Sequence, residues 1–220
     1  MSVFSNARQK MVDGQVRPSD VTDVRIIDAM MAVPREAFVP ASKQAMAYLD
    51  LDLDVAEGAA PRFLIKPVVL AKMLQAAEIK ETDRVLVVGA ASGYAAAVIA
   101  KFAADVTATE SDSALASKAR AALAATGAGN IQVRTASAGE GDAAGAPYDV
   151  IVLNGATEIV PEHLCRQLKA GGRLVGVFAT TQPARATLVT SSHGDYGHRT
   201  LFDAAAPVLP GMERVAAFVF

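Results

Sequence analysis

The pattern of apolar and polar positions changes character near residue 80. Beyond it, short apolar runs alternate with Ala-rich stretches of helical period. Residues 84–88 read as a buried strand, 105–109, 131–135, 149–153 and 173–178 as further strands, and 94–102, 113–126 and 161–168 as helices. Strands alternating with helices at this spacing predict βαβ units and a parallel sheet. Three later runs, 186–190, 200–203 and 215–220, read as further strands, antiparallel at one edge of that sheet.

The first 80 residues carry helical patterns broken by prolines. Residues 6–16 form a helical stretch that ends near Arg17-Pro18. Ser19 to Asp23 offers N-cap candidates for a second helix over 24–33, in which Val24, Ile27 and Met31 share a face. Pro34, Pro40 and Pro61 punctuate the stretch from 34 to 66, with a short helix at 43–48, and a longer helix covers 67–77. Asp50, Asp52 and Asp54 alternate with Leu51, Leu53 and Val55, which suits a short strand. Three carboxylates raise the idea of a metal, but no further ligands stand nearby and none is expected.

The expected fold is therefore α/β: a doubly wound, mostly parallel sheet with an N-terminal helical extension. One domain is expected, with 1–80 flanking the substrate side of an 81–220 core. Composition agrees. Hydrophobic residues make up 52% and aromatics 5%, with no Trp, so the core must be aliphatic, as a covered parallel sheet requires. A net charge of −2 supports neither a nucleic-acid nor a membrane partner. The single cysteine, Cys165, rules out an internal disulfide, and no leader or membrane span is visible. A cytoplasmic protein is expected.

The candidate chemistry sits after the first core strand. The turn Gly89-Ala-Ala-Ser-Gly93 leads straight into a helix. Small residues let a backbone pass close to a ligand, and a helix start offers N–H groups. Glu110 ends the next strand about 20 positions on, the spacing at which a carboxylate meets ribose hydroxyls. The G-x-G-x-x-G pattern of dinucleotide enzymes is incomplete, which leaves the turn open to a ligand without phosphates.

The stretch from Val85 to Ala100, with its Gly-Tyr pair at Gly93-Tyr94, resembles the first S-adenosylmethionine (SAM) motif of the protein-L-isoaspartate O-methyltransferase family. Three other stretches match in order. These are Val33-Pro-Arg-Glu-Ala-Phe-Val-Pro40, the fourth-strand segment from Tyr148 to Pro161, and Gln167-Leu-Lys-Ala-Gly-Gly-Arg-Leu-Val175. The resemblance implies a Rossmann-like SAM-methyltransferase fold, SAM as cofactor and a peptide or protein substrate. It implies methyl transfer to an isoaspartyl carboxylate in protein repair. It places the cofactor on Gly89, Ala90, Ala91, Ser92, Gly93 and Tyr94, on Glu110 and Ser111, on Ser137, and on Asn154.

The sequence departs from the family at four places. Val87 stands where the family has an acid that holds the methionine end of SAM. Ala91 replaces the middle glycine, and Ser137 the acid after the third strand. Ile65 occupies the family's substrate serine, so a hydroxyl has become hydrocarbon; Lys66 beside it, and Arg62 nearby, are candidate cations for an anionic substrate. Gln15, Arg17 and Asp20 form a polar run able either to cover the site or to cap helices. His163 reads as a surface or capping residue. His193, His198 and Asp195 read as a hairpin loop rather than a metal site, and Cys165 as packing. Three alternatives stand beside the repair methyltransferase: a methyltransferase for another acceptor, a catalytically silent protein of the same fold, and, least supported, a NAD-dependent oxidoreductase.

Overall fold

The computed structural model describes residues 3–56, 60–127 and 129–215. In chain order it holds α1 (Val3–Met11), α2 (Val24–Ala32), β1 (Leu53–Asp54), β2 (Phe63–Leu64), α3 (Pro67–Ala77), β3 (Arg84–Val88) and α4 (Tyr94–Ile99). Next come β4 (Asp105–Glu110), α5 (Ser113–Ala125), β5 (Ile131–Thr135), β6 (Tyr148–Thr157), α6 (Glu162–Cys165), β7 (Leu168–Phe178), β8 (Arg185–Ser192) and β9 (Asp195–Asp203). Among the described residues, β3 to β9 form one sheet in the order β5-β4-β3-β6-β7-β8-β9. The pairs from β5 through β7 are parallel, and β8 and β9 add antiparallel edge strands.

Alternation along β3 buries both faces of this sheet. Val85 and Val87 join a core built with the N-terminal helices, α4 and α5. Leu86 and Val88 join a second core with Leu164, Cys165 and Leu209. This two-sided burial is what makes β3 read as a continuous apolar run. The N-terminal extension is not a separate layer: Ile26, Met30, Phe38, Leu64 and Ile65 belong to the same core as Val85.

Several boundaries differ from the sequence expectation. α1 gives way at Val12 to a wider helical turn through Val16, because Gly14 and then Pro18 interrupt the regular ladder. The expected helix at 43–48 is a 3-10 turn over Ala41–Met46. β7 begins at Leu168 rather than 173, with a register shift against β6 that takes up Gly171-Gly172, and α6 shrinks accordingly. Val215 is not in a strand, and 216–220 lie outside the described residues. The aspartates of the alternating run act as turn caps. Asp50 accepts from Val68 N–H (3.1 Å), Asp52 from Lys66 N–H (2.9 Å), and Asp54 from Ala56 N–H (3.0 Å) and Arg62 N–H (3.1 Å). They thereby fix the start of α3 and the β1–β2 hairpin.

Candidate active site at the carboxyl end of the sheet

β4 and β5 lie to one side of β3, and β6 and β7 to the other. The carboxyl ends of β3 and β6 thus mark the place where the winding reverses, the usual ligand crevice of such sheets. Gly89 leaves β3 at φ +72° and Gly93 enters α4 at φ +99°. Ala91 between them also sits at positive φ, +50°, which costs a residue with a Cβ about 1–2 kcal/mol. Three bonds hold the turn there. Ala90 N–H donates to Thr109 O (2.8 Å), Gly93 N–H to Ala90 O (2.9 Å), and Ala91 N–H to Oε2 of Glu110 (2.9 Å). The last bond ties the glycine turn to the acid that ends β4.

Glu110 is 1% exposed and fully engaged. Its Oε1 accepts from Arg62 Nε (3.1 Å), Asp112 N–H (3.0 Å) and Ser111 Oγ (3.3 Å). Arg62 also reaches Ser111 Oγ through Nη2 (3.0 Å). A half-buried hairpin has therefore delivered a guanidinium onto the carboxylate expected to grip a sugar. Asn154 lies beside the turn, its amide donating to Gly89 O (2.9 Å) and Phe63 O (3.5 Å).

The space above the turn is occupied by the chain itself. β3 stops at Val88 while β6 runs on to Thr157. Residues 207–209 take the vacant ladder position: Ala156 N–H donates to Pro207 O (2.8 Å), and Leu209 N–H to Ala156 O (2.9 Å). A Cβ placed on Gly89 would lie 2.3 Å from Leu209 Cδ2, and one on Gly155 2.8 Å from the same atom. The cavity that remains, between Arg62, Gly89, Ala91, Asn154 and Leu209, is about 20 Å³. That is room for a water, far below the several hundred Å³ of small-molecule pockets.

Other expected site residues are turned elsewhere. Ser92 Oγ donates to Phe38 O, and Tyr94 is buried beneath the Arg35 guanidinium, 4.6 Å from its ring centre. Burial pushes the Tyr94 phenol above its ordinary pKa and the Arg35 guanidinium below. Both side chains serve the core, because α4 packs flat on the N-terminal elements. Ser137 is exposed and closes a turn through Glu140 Oε2 (2.7 Å). Ser111 is exposed beside Glu110. Ile65 is 1% exposed, its side chain in the core and its carbonyl accepting from Arg35 Nη2 (2.9 Å), so it presents nothing to a substrate. Lys66 Nζ lies 3.9 Å from Asp52, whose pKa burial raises. Gln15 donates to Tyr48 O (3.1 Å) and Arg17 pairs with Asp13 (3.1 Å), a local role for the polar run. His193 forms the β8–β9 turn at φ +50°, and His198 lies in β9 against Phe178. His163 is exposed on α6 and Cys165 buried beneath it. Among the described residues no cluster of metal ligands forms, and no helix is long and apolar enough to cross a membrane. Arg62 was visible only as a candidate cation for substrate. Leu209 carried no signal, since its ladder is a single bridge between prolines.

Known proteins answer to this arrangement. The family model described as Protein-L-isoaspartate(D-aspartate) O-methyltransferase matches residues 6–194. Protein-L-isoaspartate O-methyltransferase 1 of Rhodopseudomonas palustris strain HaA2 is 42% identical over 182 residues, 83% of this chain and 73% of the relative. A second such protein, from R. palustris strain CGA009, is 38% identical over 92% of this chain and 93% of its own length. Among solved structures, a protein-L-isoaspartate O-methyltransferase superposes with a TM-score of 0.83 at 23% identity, over 93% of this chain and 66% of that one. A beta-aspartate methyltransferase from Plasmodium falciparum in complex with S-adenosyl-L-homocysteine superposes with a TM-score of 0.77 at 16% identity, over 95% and 99%. These last two speak for the fold. The sequence matches, spanning nearly the whole chain, establish that it belongs to the protein-L-isoaspartate O-methyltransferase family.

Proposed function

We propose that the chain is a SAM-dependent carboxyl methyltransferase of the isoaspartyl repair type, acting on a peptide or protein substrate. The observation that carries this reading is the Ala91–Glu110 bond. It joins the glycine turn and the β4 acid at the point where the sheet reverses, in a chain of this family.

The donor set fits the cofactor. Glu110 offers a carboxylate to a ribose diol, and Ser111, Ser137 and Asn154 stand at the same end of the sheet. A ribose diol reaches that carboxylate once Arg62 leaves it. The bound cofactor supplies a methyl group on a sulfonium leaving group. The acceptor carboxylate is ionised at pH 7 and needs no base. What remains for the chain is alignment of oxygen, methyl and sulfur, and exclusion of water. Released from Glu110, Arg62 offers a cation to the acceptor carboxylate.

Incubation with an isoaspartyl peptide and methyl-labelled SAM tests this. Base-labile methyl ester is expected on the isoaspartyl peptide and not on its aspartyl counterpart. Transfer to neither peptide, in protein that binds S-adenosylhomocysteine (SAH), would overturn the isoaspartyl acceptor. It would favour the second reading, a methyltransferase for another acceptor, which rests on Ile65 offering no hydroxyl.

A further inference from the structure

Resting on that reading, we propose that Arg62 is exchanged between the two ligands. The cofactor's ribose takes its place on Glu110, and the released guanidinium then holds the acceptor carboxylate, so that each ligand strengthens binding of the other. Glu110 is ringed by donors. Ala91 N–H occupies Oε2, while Arg62 Nε, Asp112 N–H and Ser111 Oγ crowd Oε1. A carboxylate offers about four lone-pair sites over its two oxygens, so Oε1 is saturated and a diol finds no second place on this group until a donor leaves. The Ala91 and Asp112 donors are backbone, fixed by the glycine turn and by the entry to α5. Arg62 is a long side chain, and of these four donors it alone carries charge.

The backbone of Arg62 stays in place during such an exchange. Its N–H donates to Asp54 Oδ1 (3.1 Å) and its carbonyl accepts from Val55 N–H (2.7 Å), so the β1–β2 hairpin holds the residue while the guanidinium moves. The guanidinium has little water to fall back on, since the side chain is 12% exposed. Detached from Glu110 it needs another anion, because a buried charge without a partner is costly. It already lines the small cavity with Gly89, Ala91 and Asn154, at the carboxyl ends of β3 and β6. It also stands on the chain just before Ile65, which has no hydroxyl to give an acceptor. An isoaspartyl carboxylate entering there meets a planar fork of donors that matches its own geometry. The ion pair that one ligand breaks is replaced by the other ligand, and such coupling is reciprocal.

Calorimetric titration of SAH, and of an isoaspartyl peptide with and without saturating SAH, into wild type, Arg62→Ala and Arg62→Lys tests the exchange. In wild type, SAH is expected to tighten peptide binding at least about fivefold. In Arg62→Ala, SAH is expected to bind at least about fivefold more tightly, because its competitor for Glu110 is gone. The peptide should bind that variant more weakly and no longer respond to SAH. Arg62→Lys keeps the charge and should keep part of the coupling. A hairpin merely loosened by the substitution would weaken both ligands, so opposite shifts separate exchange from structural damage. SAH binding no more tightly to Arg62→Ala, or coupling that survives there, would overturn the exchange. So would wild type that binds SAH and peptide independently, a result that needs no variant and leaves the methyltransferase reading intact. Wild type that binds SAH but no peptide, or no SAH at millimolar ligand, would instead remove the acceptor or the cofactor reading, and the exchange with it.

Discussion

Gly89→Ala puts the packing of Leu209 to a quantitative test. Two costs add. At φ +72° a Cβ is strained by about 1–2 kcal/mol, offset in part by the roughly 0.4–1 kcal/mol that alanine gains through a less flexible unfolded chain. The new methyl also lands 2.3 Å from Leu209 Cδ2, an overlap of the kind that costs about 1–3 kcal/mol in a packed core. The expected loss is therefore about 2–4 kcal/mol, or very roughly 4–16 °C in Tm for a chain of this size. Leu209→Ala alone costs about 2–5 kcal/mol. In the double variant the overlap disappears and only the backbone strain of Gly89→Ala remains, so the pair should be less destabilised than the sum by about 1–3 kcal/mol. Urea denaturation of the four proteins measures that coupling. Gly155→Ala is the control. Its Cβ would meet Leu209 at 2.8 Å but also the Pro207 carbonyl at 2.9 Å, and backbone does not yield, so Leu209→Ala should rescue it less. Additivity of Gly89→Ala with Leu209→Ala to within about 0.5 kcal/mol would refute the argument, because residues that do not touch behave that way.

Three other expectations rest on single sites. Cys165 is buried and its thiol pushed up to about 11 by burial and then by Glu162, so a thiol reagent at pH 8 should label it only after denaturant is added; rapid labelling of native protein would contradict its packing. Asp23 caps α2, and its carboxyl is held below the ordinary range first by the Arg25 guanidinium. A depressed folded pKa contributes stability above the unfolded value near 4, lost as pH falls through the folded one. The urea midpoint of wild type should therefore drop toward that of Asp23→Asn below about pH 4, and an unchanged gap at pH 2 would rule out the linkage. Arg35 is wholly buried and donates to Ala47 O (2.8 Å) and Ile65 O (2.9 Å), so Arg35→Leu strands two carbonyls and should cost about 3 kcal/mol or more in thermal unfolding; a Tm within about 2 °C of wild type would be inconsistent with those bonds, at about 2–4 °C per kcal/mol.

The central strands β3, β4, β6 and β7 were legible because they are largely buried and leave apolar runs; the edge strands β5 and β9 are largely exposed, and β5 shows instead as a short alternating run. The glycine turn and Glu110 were legible by spacing. Their partners were not. Arg62 approaches Glu110 from a two-stranded hairpin almost 50 residues earlier, and no local period encodes that contact. Asp50, Asp52 and Asp54 alternate as a strand would, yet only Asp54 lies in one; the others reach across to cap α3, where a side-chain oxygen serves a backbone N–H that sequence leaves unmarked. The 207–212 segment carried no reading from the sequence, and its one bridge, Val208 with Ala156, depends on where β3 ends.

The departures from the family follow the burial of the positions they occupy. Val87 replaces an acid, Ala91 a glycine and Ile65 a serine, and all three are buried, at 0%, 1% and 1% exposure. A carboxylate at position 87, sealed among Val85, Val152 and the N-terminal helices, would sit without water or a cation and cost several kcal/mol. Valine removes that cost. A glycine at position 91 would relieve the strain at φ +50°, whereas alanine adds a buried methyl to the wall facing the residual cavity. Isoleucine at 65 fills core that a hydroxyl would have to be hydrogen-bonded to enter. Val87 and Ile65 thus fill core without a buried polar group to satisfy, while Ala91 sets about 1–2 kcal/mol of backbone strain against one buried methyl.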